Sequence, residues 1–396
     1  MFSELEVTPP DPILGLSRAF ADDPRPDKVG LTVGVFQDEQ GVTPILKSVK
    51  TAEARLLANQ DSKAYIGQAG DPAFLEGMRT VLLGPDLAAA TRTRVHLLQT
   101  PGGCGAVRIG AELAALATPK RIWVSDPTWA NHYPLLQSAG LRVFEYPYYD
   151  SEGSTLTVDA MLTALGRAEP QDLVLLQAGC HNPTGADLSR EDWDRVLALC
   201  LERRLIPFID NAYQGFAYGL DEDAYGLRAA VERLPEVLIA ASCSKNFGLY
   251  RERTGALLIA MQDDRTATAA HSQAISLARR SYTMAPFHGG GIAGLILSSD
   301  ELRSEWQAEV SAMRAHLNGM RVGLARALAE RQAPRDFSFI EQQRGMFSLL
   351  GLSPMQIDRL RDDHAVYALR SSRINVAGLS EAKLDRVAEA VTAVLR

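Results

Sequence analysis

Between about residues 93 and 261 the chain alternates short apolar runs with stretches whose apolar positions recur at helical spacing. RVHLLQ (94–99), RIWVS (121–125), LRVFEY (141–146), DLVLLQ (172–177), LIPFID (205–210), VLIAAS (237–242) and TGALLIAM (254–261) read as strands. GAVRIGAELAALA, WANHYPLLQSAG, VDAMLTALGRA and REDWDRVLALCLERR read as the helices between them. Runs of four to six apolar residues with no polar alternation belong to strands buried on both faces, as in a mostly parallel sheet covered by helices. The pattern therefore predicts an α/β fold with a large domain over 41–300. A long amphipathic stretch at 301–331 then leads into FSFI, MFSLLGL, a helix near 354–363, INVAG and a closing helix from 380. That order of strand, strand, helix, strand, helix predicts a smaller α+β domain over 301–396, joined by an N-terminal arm at 1–40.

The chain of 396 residues is long enough for about two or three domains. Its 46% hydrophobic and 22% charged residues are those of an ordinary globular protein. No segment approaches the roughly 20 apolar residues of a membrane helix. The opening MFSELEVTPPDP lacks the basic and apolar regions of a secretory signal, which makes the cytoplasm the expected compartment. The net charge of −7 disfavours nucleic acid as a partner, and Cys104, Cys180, Cys200 and Cys243 lack the spacing of a metal site or a disulfide framework.

Four segments place chemistry at the predicted C-terminal ends of strands, the edge where open α/β sheets bind ligands. QTPGGCGAVR (99–108) runs from a strand through glycines into a helix. Such a turn offers backbone N–H groups to a phosphate. A dinucleotide site or a plain tight turn would have the same sequence. CHNPTG (180–185) is a turn in which Asn182-Pro183 is a candidate cis bond. In IPFIDNAYQGF, Asp210 ends an apolar run and Tyr213 follows; a helix cap is the alternative reading of Asp210. In SCSKNFGLYRERTG (242–255), Lys245 follows a buried run and is trailed by Arg251 and Arg253. A nucleophilic lysine acts as the neutral amine, which desolvation or nearby positive charge favours. Either arginine suits that task or the binding of a phosphate. Together the four supply a phosphate cradle, a carboxylate for a pyridinium nitrogen, donors for a phenolate oxygen and an imine-forming lysine. Those are the requirements of pyridoxal phosphate.

Over essentially its whole length the sequence resembles the class I aspartate and aromatic amino acid aminotransferases of bacteria. DPILGL (11–16), QTPGGCGA, SDPTWANH (125–132), CHNPTG, DNAYQGF, SKNFGLYRERTG, GMFS (345–348) and SSRINVAG (371–378) carry the resemblance. It implies a fold type I pyridoxal phosphate enzyme, a homodimer whose active sites lie at the subunit interface. Lys245 is then the imine-forming lysine and proton shuttle, Asp210 the partner of the ring nitrogen, and Tyr213 and Asn182 the ligands of the ring oxygen. Ser242 and Arg253 bind the phosphate, with the backbone at Gly103 and Cys104 as its cradle. Trp129 stacks on the ring, His132 supports Asp210, and Tyr65 reaches the phosphate from the partner subunit. Gly34, Trp129 and Asn182 belong to the substrate side, where Arg373 grips the α-carboxylate. Arg279 reaches across the dimer to the distal carboxylate of aspartate or glutamate, and Arg280 faces solvent.

The sequence departs from the family pattern in two places. Cys104 stands where threonine or serine is usual, exchanging a hydroxyl for a weak thiol donor. SYTMAPFHG (281–289) lacks the Asn-Pro or Ser-Pro usual before Pro286. The expected activity is two-step transfer of an amino group between an amino acid and a 2-oxo acid such as 2-oxoglutarate or oxaloacetate. The competing readings are a lyase or decarboxylase on the same fold, a non-catalytic binding protein, and a nicotinamide-dependent dehydrogenase for which Lys245 would have no special role.

Overall fold

The apolar runs form one seven-stranded sheet: β1 (Val95–Pro101), β2 (Arg121–Asp126), β3 (Arg142–Pro147), β4 (Leu173–Gln177), β5 (Ile206–Asn211), β6 (Val237–Ser242) and β7 (Thr254–Ala260). A computed structural model describes residues 2–7, 12–117 and 119–396. Asp11, the first residue of the DPILGL motif, lies outside the described residues; Pro12 opens a helix that runs to Asp22. The strand order is β1-β7-β6-β5-β4-β2-β3. All neighbours are parallel except β7, which runs antiparallel to both β1 and β6. Every residue of β6 and β7 is buried, so the uninterrupted apolar runs have their expected cause: helices cover both faces. Leu98, Val124, Leu175, Phe208, Leu238 and Leu257 join residues of the helix Gly102–Ala117 in one core cluster.

The chain divides into two compact units: one of residues 44–316 with 343–345, the other of residues 1–43, 317–342 and 346–396. The division passes through a 31-residue helix, Asp300–Glu330. In the smaller unit Val29–Gly30 pairs in parallel with Val366–Tyr367, and Phe347–Leu349 pairs antiparallel with Arg373–Asn375. Arg321, almost wholly buried, satisfies its guanidinium on the Phe347 carbonyl (2.6 Å) and the Ser348 hydroxyl (2.7 Å). The helix Pro354–His364 opens with a Ser353–Gln356 capping box and closes on Ala365 at φ 54°.

FSFI is not a strand. Asp336 accepts hydrogen bonds from the backbone N–H and the hydroxyl of Ser338, which turns the chain, and a short helix follows over Phe339–Gln342. Phe337, just before the helix, and Ile340 within it are the buried residues of this segment, three apart, a spacing that does not alternate.

Candidate active site

In the larger unit the chemistry collects at the edge where β1, β2, β4, β5 and β6 end and the antiparallel β7 begins. Register brings Pro101 opposite Thr254 and sets Gly255 beside both Thr100 and Ser242. The glycine-rich turn after β1 is thereby pressed against the start of β7. A Cβ on Gly255 would lie 2.5 Å from the Gly102 carbonyl carbon. Gly102, at φ +71°, has its absent Cβ position 2.6 Å from Arg253 Nη2, and that of Gly103 is 3.1 Å from Ser242 Cβ. Only glycine leaves this hollow open. Around it stand the N-terminus of the helix Gly102–Ala117, the Ser242 hydroxyl and Arg253, whose Nη1 donates to the Tyr250 carbonyl at 2.9 Å. This donor set suits a phosphate.

Cys104 lies in the first turn of that helix, partly buried, and its sulfur accepts a hydrogen bond from Asn131 Nδ2 at 3.8 Å. That contact uses the sulfur as an acceptor and leaves the S–H as a donor. Burial raises its pKa, and the charges of Arg253, Asp210 and Lys245 act on it as well, which identifies these side chains as one electrostatic cluster.

Asp210, near the end of β5, is buried, and its Oδ2 lies 3.0 Å from His132 Nε2. His132 is fully buried at the start of the helix His132–Ser138, and its Nδ1 is 2.8 Å from Thr128 Oγ1. An ionised carboxylate only accepts, so Nε2 carries the proton and Nδ1 accepts from the threonine hydroxyl. The edge of the Trp129 ring packs on His132 at 5.2 Å between centroids. Chain reversal after β5 places Tyr213 in a turn rather than a helix, which removes the helix-cap reading of Asp210.

Asn182 is held from both sides of its own backbone: its N–H donates to Gln177 Oε1 (2.8 Å), and its carbonyl accepts from Gln177 Nε2 (3.0 Å). The Asn182-Pro183 bond is cis, as is Asp126-Pro127. Asp187 accepts from the N–H groups of Cys180 and His181, closing the turn. His181 lies beneath it, hydrogen-bonded to Ser125 (3.0 Å) and Thr184 (2.9 Å) and stacked on Tyr148 at 4.1 Å. Burial takes the His181 pKa down to about 3.

Lys245 follows β6 with its Nζ 4.5 Å from the centre of the Tyr213 ring. Burial is the main force lowering its pKa, Arg253 adds to it, and Asp210 opposes it. The lysine is thus biased toward the neutral nucleophile while remaining within reach of a carboxylate. Arg251, the alternative source of positive charge, is exposed. The turn is anchored from behind: Phe247 stacks on Trp306 at 4.3 Å, and Trp306 Nε1 donates to the Asn246 carbonyl at 2.8 Å.

Gly103, Cys104, Trp129, His132, Asn182, Asp210, Tyr213, Ser242, Lys245 and Arg253 thus share one edge of one sheet. Tyr65 stands apart, 88% exposed in a loop. Arg279 and Arg280 end the helix Asp264–Ser281, and both are exposed, so exposure does not separate them. In the altered segment after them Thr283 takes φ +69°, and Gln99 Nε2 donates to the Pro286 carbonyl at 2.9 Å. In the smaller unit Arg373 is buried, donates to the Thr32 carbonyl at 2.8 Å and lies over the Phe347 ring at 4.3 Å. A Cβ on Gly34 would meet that same ring at 2.8 Å.

The family model for aminotransferase class I and II matches residues 26–391. The chain belongs to this family. It is 48% identical to an aromatic-amino-acid aminotransferase of Pseudomonas aeruginosa over 99% of this chain and 98% of that one. It is 45% identical to an aspartate aminotransferase of Escherichia coli over the full length of both. A solved aromatic-amino-acid aminotransferase of Burkholderia pseudomallei, covalently bound to pyridoxal phosphate, superimposes with a TM-score of 0.97 at 43% identity over all of both chains. Aminotransferases of this family use pyridoxal phosphate, and the residues at this sheet edge fit it: the glycine hollow with its donors suits the phosphate, and the His132-supported carboxylate suits a protonated ring nitrogen.

Sequence reasoning did not reach Thr128, Asn131, Gln177, Asp187, Gln214, Asn246 or Trp306. Thr128, Asn131 and Gln177 bond His132, Cys104 and Asn182 directly, and Asp187, Gln214, Asn246 and Trp306 hold the turns that carry site residues. Gln214 and Asn246 had a signal: they directly follow Tyr213 and Lys245 in the motifs.

Proposed function

We propose that this aminotransferase moves an amino group between aspartate or glutamate, or an aromatic amino acid, and a 2-oxo acid such as 2-oxoglutarate or oxaloacetate. It does so in two half-reactions that share one site. The observation that carries the reading is Lys245, buried enough to favour its neutral amine, beside Tyr213 and within the field of Asp210 and Arg253. When bound, pyridoxal phosphate supplies an electron sink for the bond broken at the substrate Cα. Lys245 Nζ would hold the cofactor and would serve as the base that moves the proton from Cα. Asp210 would pair with the protonated ring nitrogen, and the hydrogen bond with His132 fixes the carboxylate in place. Tyr213 and Asn182 would hold the ring oxygen and Trp129 the ring, and Ser242, Arg253, Gly103 and Cys104 would hold the phosphate.

On the substrate side, Arg373 takes the α-carboxylate in company with Gly34. The buried surroundings of Arg373 support this, because a desolvated guanidinium binds a carboxylate strongly. Tyr65 and Arg279 serve the site of a second copy, so the working enzyme is a homodimer; their exposure within the chain supports that assignment. The cytoplasm is the proposed compartment. Among the described residues no helix is long and apolar enough to cross a membrane.

The test is to supply the purified enzyme with 2-oxoglutarate and either aspartate or phenylalanine. Formation of glutamate with the matching 2-oxo acid is expected from both. Release of ammonia or carbon dioxide without glutamate would replace the reading with a lyase or decarboxylase.

A further inference from the structure

Asp210 lies near the end of β5 and Lys245 in the turn after the neighbouring β6, and the residue that follows each of them bonds to Gln214. Asn211 Nδ2 donates to Gln214 Oε1 at 2.8 Å, and Asn246 Nδ2 donates to the Gln214 main-chain carbonyl at 3.1 Å. Gln214 is 3% exposed, and its amide hydrogens are both used, on the carbonyls of Val81 (2.9 Å) and Leu220 (2.8 Å). The Val81 carbonyl is available for a reason visible in the sequence. It lies in the helix Pro72–Ala90, where its partner four residues on is Pro85, which has no N–H. Gly84, at φ 73°, breaks the helix at the same point. A helix defect thus creates an acceptor that the catalytic loop occupies.

We infer that Gln214 is a positioning residue for transamination: its side-chain amide, bonded by Asn211 and anchored on the Val81 and Leu220 carbonyls, fixes the turn after Asp210, while its main-chain carbonyl holds Asn246 of the turn after Lys245, and so it sets the spacing of carboxylate and amine. The inference rests on the roles given above to those two residues. A buried amide with both hydrogens and its oxygen engaged has one arrangement, and a small misplacement of reacting groups costs about a hundredfold in rate. Gln214→Leu removes every side-chain bond; Gln214→Glu keeps the shape and the acceptor but loses both donors.

The experiment compares these variants with Asp172→Asn, an equally buried polar residue before β4, at the opposite end of the sheet, where Asp172 accepts from Arg121 and Trp123. Each is assayed where circular dichroism shows it folded, for kcat, for KM and for the pH midpoint of the visible absorbance of the lysine-bound cofactor. Both Gln214 variants are expected to lose about tenfold to a hundredfold in kcat with a displaced midpoint, whereas Asp172→Asn loses stability alone. Gln214 variants that are destabilised with kcat and midpoint unchanged would overturn the inference. If they do not fold, Asn246→Ala decides: a displaced midpoint supports the coupling, and an unchanged one refutes it. A parent enzyme without visible absorbance would instead refute the cofactor reading itself.

Discussion

The cluster at the strand ends and the segments carrying Tyr65 and Arg279 were expected to serve one reaction, yet they differ in almost every physical respect. Asp210, His132, Asn182 and Ser242 are buried and tied to their neighbours, and they close their polar groups within one unit of one chain. Tyr65 and Arg279 stand in solvent at a loop and a helix end. Groups that must hold a fixed geometry around a cofactor are placed where packing and hydrogen bonds immobilise them. Groups that serve a neighbouring copy must face outward from their own chain. On the proposed reading, cofactor chemistry is built into the single chain, while the reading of the substrate's far end depends on assembly.

The largest effect is expected where the buried cluster is broken. Lys245→Ala should keep the fold and lose about 10² to 10⁴ in turnover with every amino acid, since the proton transfer loses its base; steady-state rates with aspartate and phenylalanine measure it. Arg279→Ala should instead act on one substrate class. Loss of a desolvated charge pair costs about 2 to 5 kcal/mol, so kcat/KM for aspartate should fall at least about thirtyfold, with phenylalanine changed much less. Equal losses for both would erase the distinction between the two regions.

His181 tests the buried region through stability. Its pKa falls from an ordinary 6.5 to about 3 on folding, so the unfolded chain binds the extra proton between those values. The stabilisation from keeping it neutral is complete above pH 6.5 and is lost as pH falls toward 3, with a slope of up to about 1.4 kcal/mol per pH unit. Urea unfolding from pH 4 to 7 should show that slope in the parent and a flatter one in His181→Gln. The smallest effect concerns Cys104→Thr. Replacing the thiol with a hydroxyl should tighten cofactor retention by no more than roughly tenfold, one neutral hydrogen bond. Weaker retention, measured by dialysis against a competing aldehyde scavenger, would mean that the Asn131–Cys104 contact shapes the cradle for sulfur.

The large sheet was legible because burial on both faces leaves unbroken apolar runs. The direction of β7 was not, because TGALLIA is buried along its whole length and reads the same either way. FSFI misled because Phe337 and Ile340 are apolar at a separation that a four-residue window cannot assign to helix or strand. In the site, Lys245 and Asp210 announced themselves by ending apolar runs. The His132–Asp210 bond joins residues 78 apart, and nothing local in WANHY points to a carboxylate; only the family resemblance did. The Gln214 bridge depends on a carbonyl released by a proline 129 positions earlier in sequence than itself, a relation that appears only once the chain is folded.

The central claim is that Lys245 is the residue that bonds the cofactor. Reduction of the purified enzyme with borohydride, followed by proteolysis and mass spectrometry, tests it directly. The account predicts a single pyridoxyl-phosphate adduct on the peptide containing SKNFGLYR, at Lys245; an adduct on any other lysine with Lys245 unmodified would contradict it.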